Sequence, residues 1–240
     1  MMRQLIMAAE VASKAEGFPT HFESKPLFRY SDPARGSIAA SVWKLGGEGR
    51  PKALLAMELH RSMYQRPCVM YEYMSLTTTP FSVKAKAIDW SPESTLFEFK
   101  PIKDMRAPEK TAARRLIQMR ELAHRFAASE VANKEHCELR LLPQPIDRYK
   151  PFNRDLADGA IFLFAFGTNP EVVLILETDG TDWTYSAGRM TGAQSVELTL
   201  DGKTAWVGAP LQGGQKSPYT GSVAAVVIPG YTADGKELTE

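Results

Sequence analysis

The sequence predicts a β-rich α+β fold in which an antiparallel β unit is duplicated and one long helix connects the two copies. Two nearly continuous apolar runs, 159–167 and 171–177, flank a Gly-Thr-Asn-Pro turn and are typical of buried strands. Asp201-Gly202 separates two alternating runs, which predicts a hairpin with a type I′ turn. We expect the copies to pack as two sheets or around one shared core, because neither has a helical cover of its own.

Composition sets the broad class of protein. The chain of 240 residues has 29 Lys and Arg against 28 Asp and Glu, so its formal charge of +1 gives no overall attraction to nucleic acid. Its apolar segments all fall short of the roughly 20 residues that span a bilayer. Glu10 interrupts the first apolar stretch too early for a convincing signal peptide. We therefore expect a soluble protein, cytoplasmic by default and exported if a leader has been removed.

Proline, glycine and the apolar periodicity divide the chain into five parts. Prolines punctuate the beginning of the chain, and strand-like runs then alternate with turn signals on both sides of the helical segment. The predicted parts are a short N-terminal helix and lead-in (1–24), a first β repeat (25–103), a connecting amphipathic helix (104–135), a second β repeat (136–210), and a loop, last strand and tail (211–240).

The connecting helix is predicted over 108–131. Pro108 suits a first helical turn, where its missing N–H would have no partner. Apolar residues then recur at three- and four-residue spacing, which is typical of an amphipathic helix. The pattern predicts a buried stripe of Leu116, Met119, Ala123 and Phe126 and an exposed set of Arg114, Arg115 and Arg125.

The duplication is predicted from recurring spacings. Arg29 and Arg148, like Glu58 and Glu177, are 119 residues apart, and the strands over 37–103 should superpose on those over 146–210. Chance is the alternative, since any meander of strands shows some self-similarity. We expect Arg29 with Glu58, and Arg148 with Glu177, to form equivalent structural ion pairs, because a guanidinium can satisfy both oxygens of a carboxylate at a strand end.

One stretch resembles a known family. The run Leu139-Arg-Leu-Leu-Pro-Gln-Pro-Ile-Asp-Arg-Tyr149, with 158–173, is similar to a family of uncharacterised bacterial proteins, and 25–36 resembles the N-terminal portion of that family. The resemblance covers about residues 25–210. It implies no activity and transfers no catalytic residues.

Candidate chemistry is sparse. The four histidines form no His-Glu-x-x-His motif and there is no Cys-x-x-Cys, so neither a metal nor a cofactor is expected. Glu58 and His60 stand at strand spacing on one face and are the candidate acid/base pair; the alternative is a hydrogen-bonded polar patch near a strand end. Cys68 and Cys137 are expected to be two thiols, with a disulfide as the alternative.

These observations favour a non-enzymatic binding or structural module. The partner would be a small molecule, a carbohydrate or a protein, and not nucleic acid. The rival is a hydrolase-like enzyme with its site between the two repeats, at Glu58 and His60. Tryptophans at strand positions mostly serve the core, and carbohydrate stacking is their functional alternative. They are Trp43, Trp90, Trp183 and Trp206.

Overall fold

A computed structural model of the chain describes residues 1–61, 66–85, 88–92, 98–150, 157–208 and 217–228. Its first part contains helix α1 (Met2–Met7) and strands β1 (Glu10–Ala12), β2 (Phe28–Asp32), β3 (Ser37–Leu45), β4 (Ala53–His60), β5 (Cys68–Ser75), β6 (Ser82–Ala85), β7 (Ile88–Trp90) and β8 (Lys100–Pro101), with a 3₁₀ turn at Pro33–Arg35. Helix α2 (Ala112–Ala123) follows. The remaining strands are β9 (Phe126–Ala132), β10 (Glu135–Leu141), β11 (Asp147–Tyr149), β12 (Asp158–Phe166), β13 (Asn169–Thr178), β14 (Trp183–Arg189), β15 (Ser195–Leu200), β16 (Lys203–Gly208) and β17 (Tyr219–Ala225).

The strands form three antiparallel sheets. One has five strands in the order β17-β5-β4-β3-β2, and a larger one has the order β16-β15-β9-β10-β12-β13-β14-β8, with β11 paired to β12. A small sheet has the order β1-β6-β7. The prediction of a β-rich, antiparallel α+β fold is confirmed. Both Asp201 and Gly202 have positive φ, as the predicted hairpin turn requires.

The two large sheets share one apolar layer. Every residue of β4 and of β13 is buried, so each of these strands packs on both faces. Val42, Leu54 and Ala56 of the five-stranded sheet lie in the same apolar cluster as Val173 and Ile175 of the larger sheet. The outer face of the five-stranded sheet packs against α1 and the three-stranded sheet. On the outer face of the larger sheet, α2 contributes residues to a second apolar cluster.

The predicted helix over 108–131 is wrong in its extent. Helix α2 begins after Thr111, whose side chain accepts a hydrogen bond from the N–H of Arg114 at 3.3 Å, and ends at Ala123. Residues 126–132 form β9 instead, where Phe126, Ala128 and Glu130 are buried at alternate positions. From Phe126 onward, every second residue is buried, because β9 is a strand that pairs with both β10 and β15.

The burial prediction for this segment is confirmed for three of the four apolar residues and wrong for two of the three arginines. Met119, Ala123 and Phe126 are buried, and Leu116 is half-buried. Arg114 is exposed as predicted. Arg115, in contrast, donates from Nε to Oδ2 of the buried Asp158 at 2.8 Å. Arg125 is half-buried, and its Nη2 donates to Oδ2 of Asp201 at 2.5 Å.

We expect Arg115→Ala to lower the free energy of unfolding by about 1–3 kcal/mol, because a charge-assisted hydrogen bond to a buried carboxylate is lost. Arg148, which also binds Asp158, limits the effect. Arg114→Ala is the matched control in the same helix and should change stability by less than about 0.5 kcal/mol. Urea denaturation measures both. Equal losses at the two positions would contradict the assignment of Arg115.

Candidate functional site

A cavity of about 1080 Å³ lies between the two large sheets. It begins where the apolar layer between the sheets ends. Along β4, Glu58 and His60 continue the face on which Ala56 lies. At the start of β13, where a register shift against β12 interrupts the alternation, both Asn169 and Glu171 line the cavity. Four buried carboxylates line the cavity, one from each of the strands β4, β5, β9 and β13: Glu58, Glu72, Glu130 and Glu171.

The Glu58 carboxylate is held by two buried side chains. The hydroxyl of Tyr30 donates to Oε1 at 3.0 Å, and Nε2 of His60 lies 3.1 Å from Oε2. Burial raises the pKa of Tyr30 well above its usual value, and the charge of Glu58 adds to this shift. The structure thus brings Glu58 and His60 together on one strand face, as their spacing predicts. Whether they act in catalysis stays a prediction.

The Glu72 carboxylate is bound by a tyrosine from the far end of the chain. The hydroxyl of Tyr219, on β17, donates to Oε1 of Glu72 at 2.6 Å. Burial raises the pKa of Glu72 well above its usual range, whereas the hydrogen bond from Tyr219 acts in the opposite direction. The carboxyl therefore tends to hold its proton in these surroundings.

Glu130 and Glu171 share one arginine. Nη1 of Arg35 donates to Oε1 of Glu171 at 2.6 Å, and Nη2 donates to Oε1 of Glu130 at 3.3 Å. The arginine side chain is 36% exposed, but each carboxylate is only 1% exposed. Burial raises the pKa of Glu171 to about 8, with the charge of Glu130 as the second cause.

The titration of Glu171 should make the protein less stable as the pH rises. The ordinary pKa of the group is 4.5 and its folded-state pKa is about 8, so between these values the folded state binds more protons than the unfolded chain. The free energy of unfolding then falls with pH, by at most about 1.4 kcal/mol per pH unit for one proton. Glu171→Gln should flatten this part of the stability profile in urea denaturation. An unchanged slope would contradict the assignment to Glu171.

One amide in the cavity has an unsatisfied oxygen. Asn169 is 4% exposed and lines the cavity, and its Oδ1 has no hydrogen-bond partner among the described residues. A buried polar atom without a partner is costly, and an acceptor in this state favours a ligand that donates. In the described lining, two cations, Arg35 and Lys134, face the four carboxyl groups. The formal charge of these six groups is −2 only when all four carboxyl groups are ionised, and the raised pKa values of Glu72 and Glu171 reduce that negative charge at neutral pH.

The predicted structural ion pairs are wrong in their partners. Arg29 is exposed, and it is Tyr30 that reaches Glu58. Arg148 binds Asp158, while Glu177 receives Nε and Nη2 of Arg50 at 2.6 and 2.5 Å. The reason is the alternation of side chains along a strand: adjacent residues point to opposite faces, so the tyrosine of each Arg-Tyr pair faces inward.

Other candidate chemistry can be placed as well. Within the described ranges, no three His, Cys, Asp or Glu side chains are grouped to hold a metal ion, and no helix is long and apolar enough to cross a membrane. Cys68 and Cys137 are not joined by a disulfide, in line with the prediction. Three tryptophans, Trp43, Trp90 and Trp183, are buried in apolar clusters, where they offer no open platform to a sugar ring.

The chain matches no protein-family model, no curated protein and no solved structure. The family resemblance of the sequence therefore adds no function, and the cavity itself is the guide. Sequence reasoning missed most of the residues that line it. The available signal was a charged residue inside a run of otherwise apolar strand positions, as in Tyr71-Glu72-Tyr73.

Proposed function

We propose that the protein is a non-enzymatic binding module that takes a small cationic molecule into the cavity between its two large sheets. The observation that carries this proposal is the unpartnered Oδ1 of Asn169 beside four buried carboxylates. Oδ1 of Asn169 and the ionised carboxylates accept hydrogen bonds. A ligand that brings N–H donors and a positive charge would satisfy them together, whereas an anion would meet repulsion.

The dimensions and the environment of the cavity support this ligand class. Its volume of about 1080 Å³ is at the upper end of the range typical for small-molecule sites. Its carboxylates are buried, so their attraction for a cation is weakened less by solvent than at an exposed surface. Because the pKa values of Glu72 and Glu171 are raised, binding of a cation should release protons and become tighter as the pH rises toward 8.

A thermal-shift screen followed by titration calorimetry tests the proposal. Amines and guanidines should raise the melting temperature, and neutral polyols and carboxylic acids should not. Asn169→Leu should stabilise the protein alone by about 1 kcal/mol, because it removes the unpartnered acceptor, and should weaken cation binding by about tenfold. Gln194→Ala, at an exposed position of the cavity lining, is the control and should change neither. Stabilisation by neutral or anionic compounds alone would overturn the proposal.

A hydrolase with a site at Glu58 and His60 is the second candidate, and one observation favours it. Ser37 stands directly opposite His60 in the β3–β4 ladder, and its buried Oγ has no hydrogen-bond partner in the described part of the chain. Both residues line a second cavity, of about 490 Å³. In this reaction the Oγ of Ser37 would attack the acyl carbon of an ester and pass its proton to His60, which Glu58 orients. The alcohol would leave with that proton as its bond to the acyl carbon breaks, and water would then hydrolyse the acyl-serine.

A fluorophosphonate probe separates the two candidates, because it labels an activated serine and needs no knowledge of the substrate. Labelling that is lost in both Ser37→Ala and His60→Gln would establish the hydrolase. Ser41→Ala is the matched control, since Ser41 is also buried on β3, and it should leave labelling unchanged. Wild-type protein that stays unlabelled would dispose of this candidate.

We also propose a duplication, narrower than the one predicted over 37–103 and 146–210, from which the two meanders β2–β5 and β11–β14 arose. The later strands pair differently, since β6 and β7 join β1 while β15 and β16 extend the larger sheet beside β9. Each meander is antiparallel with its strands in chain order. The hydroxyl of Tyr149 donates to Glu177 at 2.6 Å, and Tyr30 donates to Glu58; both pairs are separated by 28 residues. Superposition of the two meanders tests the idea, which requires Tyr30 to fall on Tyr149. Misaligned tyrosines would contradict it.

A further inference from the structure

We propose that the ligand of the cavity carries a guanidinium group, and that this group binds Glu58 beside Tyr30 as Arg50 binds Glu177 beside Tyr149. The proposal rests on the proposed function and identifies the chemical class of the ligand. It comes from comparing two carboxylates that each bind a tyrosine hydroxyl. Arg50 binds the first, Glu177, whereas no arginine of the described ranges is hydrogen-bonded to the second, Glu58.

At Glu177, the chain supplies its own guanidinium, that of Arg50. Arg50 places Nε at 2.6 Å from Oε1 of Glu177 and Nη2 at 2.5 Å from Oε2, so both carboxylate oxygens are bound in a fork. The hydroxyl of Tyr149 adds a third hydrogen bond, to Oε1. The guanidinium also lies over the ring of Phe99, 4.3 Å from its centroid. This is a fully built guanidinium site.

At Glu58, the tyrosine and the glutamate are present, but an asparagine takes the place of the arginine. The offset of 119 residues relates Tyr30 to Tyr149 and Glu58 to Glu177. The same offset relates Arg50 to Asn169, and a proline follows each of these two residues. Asn169 is the residue whose Oδ1 lacks a partner, and it lines the cavity together with Glu58. The chain has therefore exchanged a guanidinium for a short acceptor where the cavity opens.

His60 is a second difference between the surroundings of Glu58 and those of Glu177. Its Nε2 lies 3.1 Å from Oε2 of Glu58, while the residue that the offset relates to it, Asp179, is exposed. An imidazole provides one hydrogen bond to the carboxylate, so it orients Glu58 without filling the place of a planar fork. A carboxylate accepts about four hydrogen bonds, and the described side chains provide Glu58 with two, from Tyr30 and His60.

The ligand class follows from the number and arrangement of donors. A guanidinium has five N–H donors in one plane, so it can bind Glu58 in a fork and still donate to Oδ1 of Asn169. An ammonium ion has three donors around a point charge and cannot pair with a carboxylate in this way. The same cavity already accepts a guanidinium from the chain, since Glu130 and Glu171 hold that of Arg35, which lies 4.6 Å from the centroid of the Phe166 ring.

Two reciprocal variants test the proposal, with methylguanidinium as the probe, methylammonium as its charged control and methylurea as its neutral control. In calorimetry, wild-type protein should bind methylguanidinium at least about tenfold more tightly than methylammonium. Asn169→Arg should supply the missing guanidinium, so it should raise the melting temperature and abolish this binding. Arg50→Asn should lower the melting temperature and add a second methylguanidinium site at Glu177.

The outcomes also separate this proposal from the broader one. If methylammonium binds as well as methylguanidinium, and Asn169→Leu weakens both, then the cavity binds cations but the guanidinium assignment is overturned. If neither cation binds, the proposed function fails as well. Should Asn169→Arg not fold, Glu58→Gln provides the test, because it should remove the preference for methylguanidinium. A preference that persists in Glu58→Gln would overturn the assignment.

Discussion

Phe126→Ala is expected to lower the free energy of unfolding by about 3–5 kcal/mol. Phe126 is buried at the start of β9, and its ring centroid lies 5.1 Å from that of Tyr185 on β14. It belongs to the apolar cluster that joins Met119 of α2 to Leu198 of β15. Removing the ring would leave a void between α2 and the larger sheet. The backbone hydrogen bonds of the helix and the strands fix their positions, so the surrounding residues cannot move in to fill it.

Urea denaturation measures this effect, with Val207→Ala as the control. Val207 is 57% exposed on β16, at the edge of the same sheet, and its truncation should cost less than about 0.5 kcal/mol. Similar small losses at both positions would show that the cluster under α2 is loosely packed. A change in the denaturant slope of Phe126→Ala would instead indicate an altered unfolded state.

The sequence predicted the burial of Phe126 correctly from the wrong element. It extended the helical stripe of Met119 and Ala123 to Phe126, although the chain leaves the helix at Ala123 and enters a strand. The ambiguity is physical, since a short apolar run satisfies a period of two as well as a period of 3.6. Only the pairing of β9 with β10 and β15 decides the matter, and that pairing is not local.

Local features were the ones that could be predicted. The Asp201-Gly202 turn depends on two adjacent residues that tolerate positive φ. The contact between Glu58 and His60 depends only on the alternation of one strand. Both follow from a few neighbouring residues, so a single sequence is enough to establish them.

The cavity could not be predicted in this way, because its residues meet across long stretches of chain. Arg35 binds Glu171, which is 136 residues away, and Tyr219 binds Glu72 at a separation of 147 residues. Nothing in the sequence indicates that β17 returns to the edge of the five-stranded sheet beside β5. Without the position of β17, the sequence gives no indication that Tyr219 binds Glu72.

The arginine–glutamate pairs show the same limit in a milder form. The spacing of 119 residues selected Glu58 and Glu177, and each of them accepts a hydrogen bond from a tyrosine 28 residues earlier in the chain. It failed for their partners, since Glu177 is bound by Arg50, from the preceding half of the chain. A recurring spacing can select candidate positions, but it does not show which residues of the two halves of the chain are in contact.

Arg50→Ala is therefore expected to lower the free energy of unfolding by about 2–4 kcal/mol, because it leaves Glu177 buried without its cation. This cost is smaller than for a fully buried ion pair, since the Arg50 side chain is 35% exposed and solvent partly screens its charge. Glu177→Gln should cost less, because the freed guanidinium of Arg50 can turn to solvent. Arg29→Ala, at an exposed arginine, should stay within about 0.5 kcal/mol of the wild type.

A double-mutant cycle then measures the coupling between the two side chains. If the cost of Arg50→Ala is mainly that of an unpaired buried carboxylate, the double variant with Glu177→Gln should be more stable than the sum of the single effects implies, by about 1–3 kcal/mol. The introduced amide still offers the Tyr149 hydroxyl a hydrogen-bond acceptor, so the comparison isolates the charge. Additive effects would mean that Arg50 stabilises the fold through its contact with the Phe99 ring and not through its pairing with Glu177.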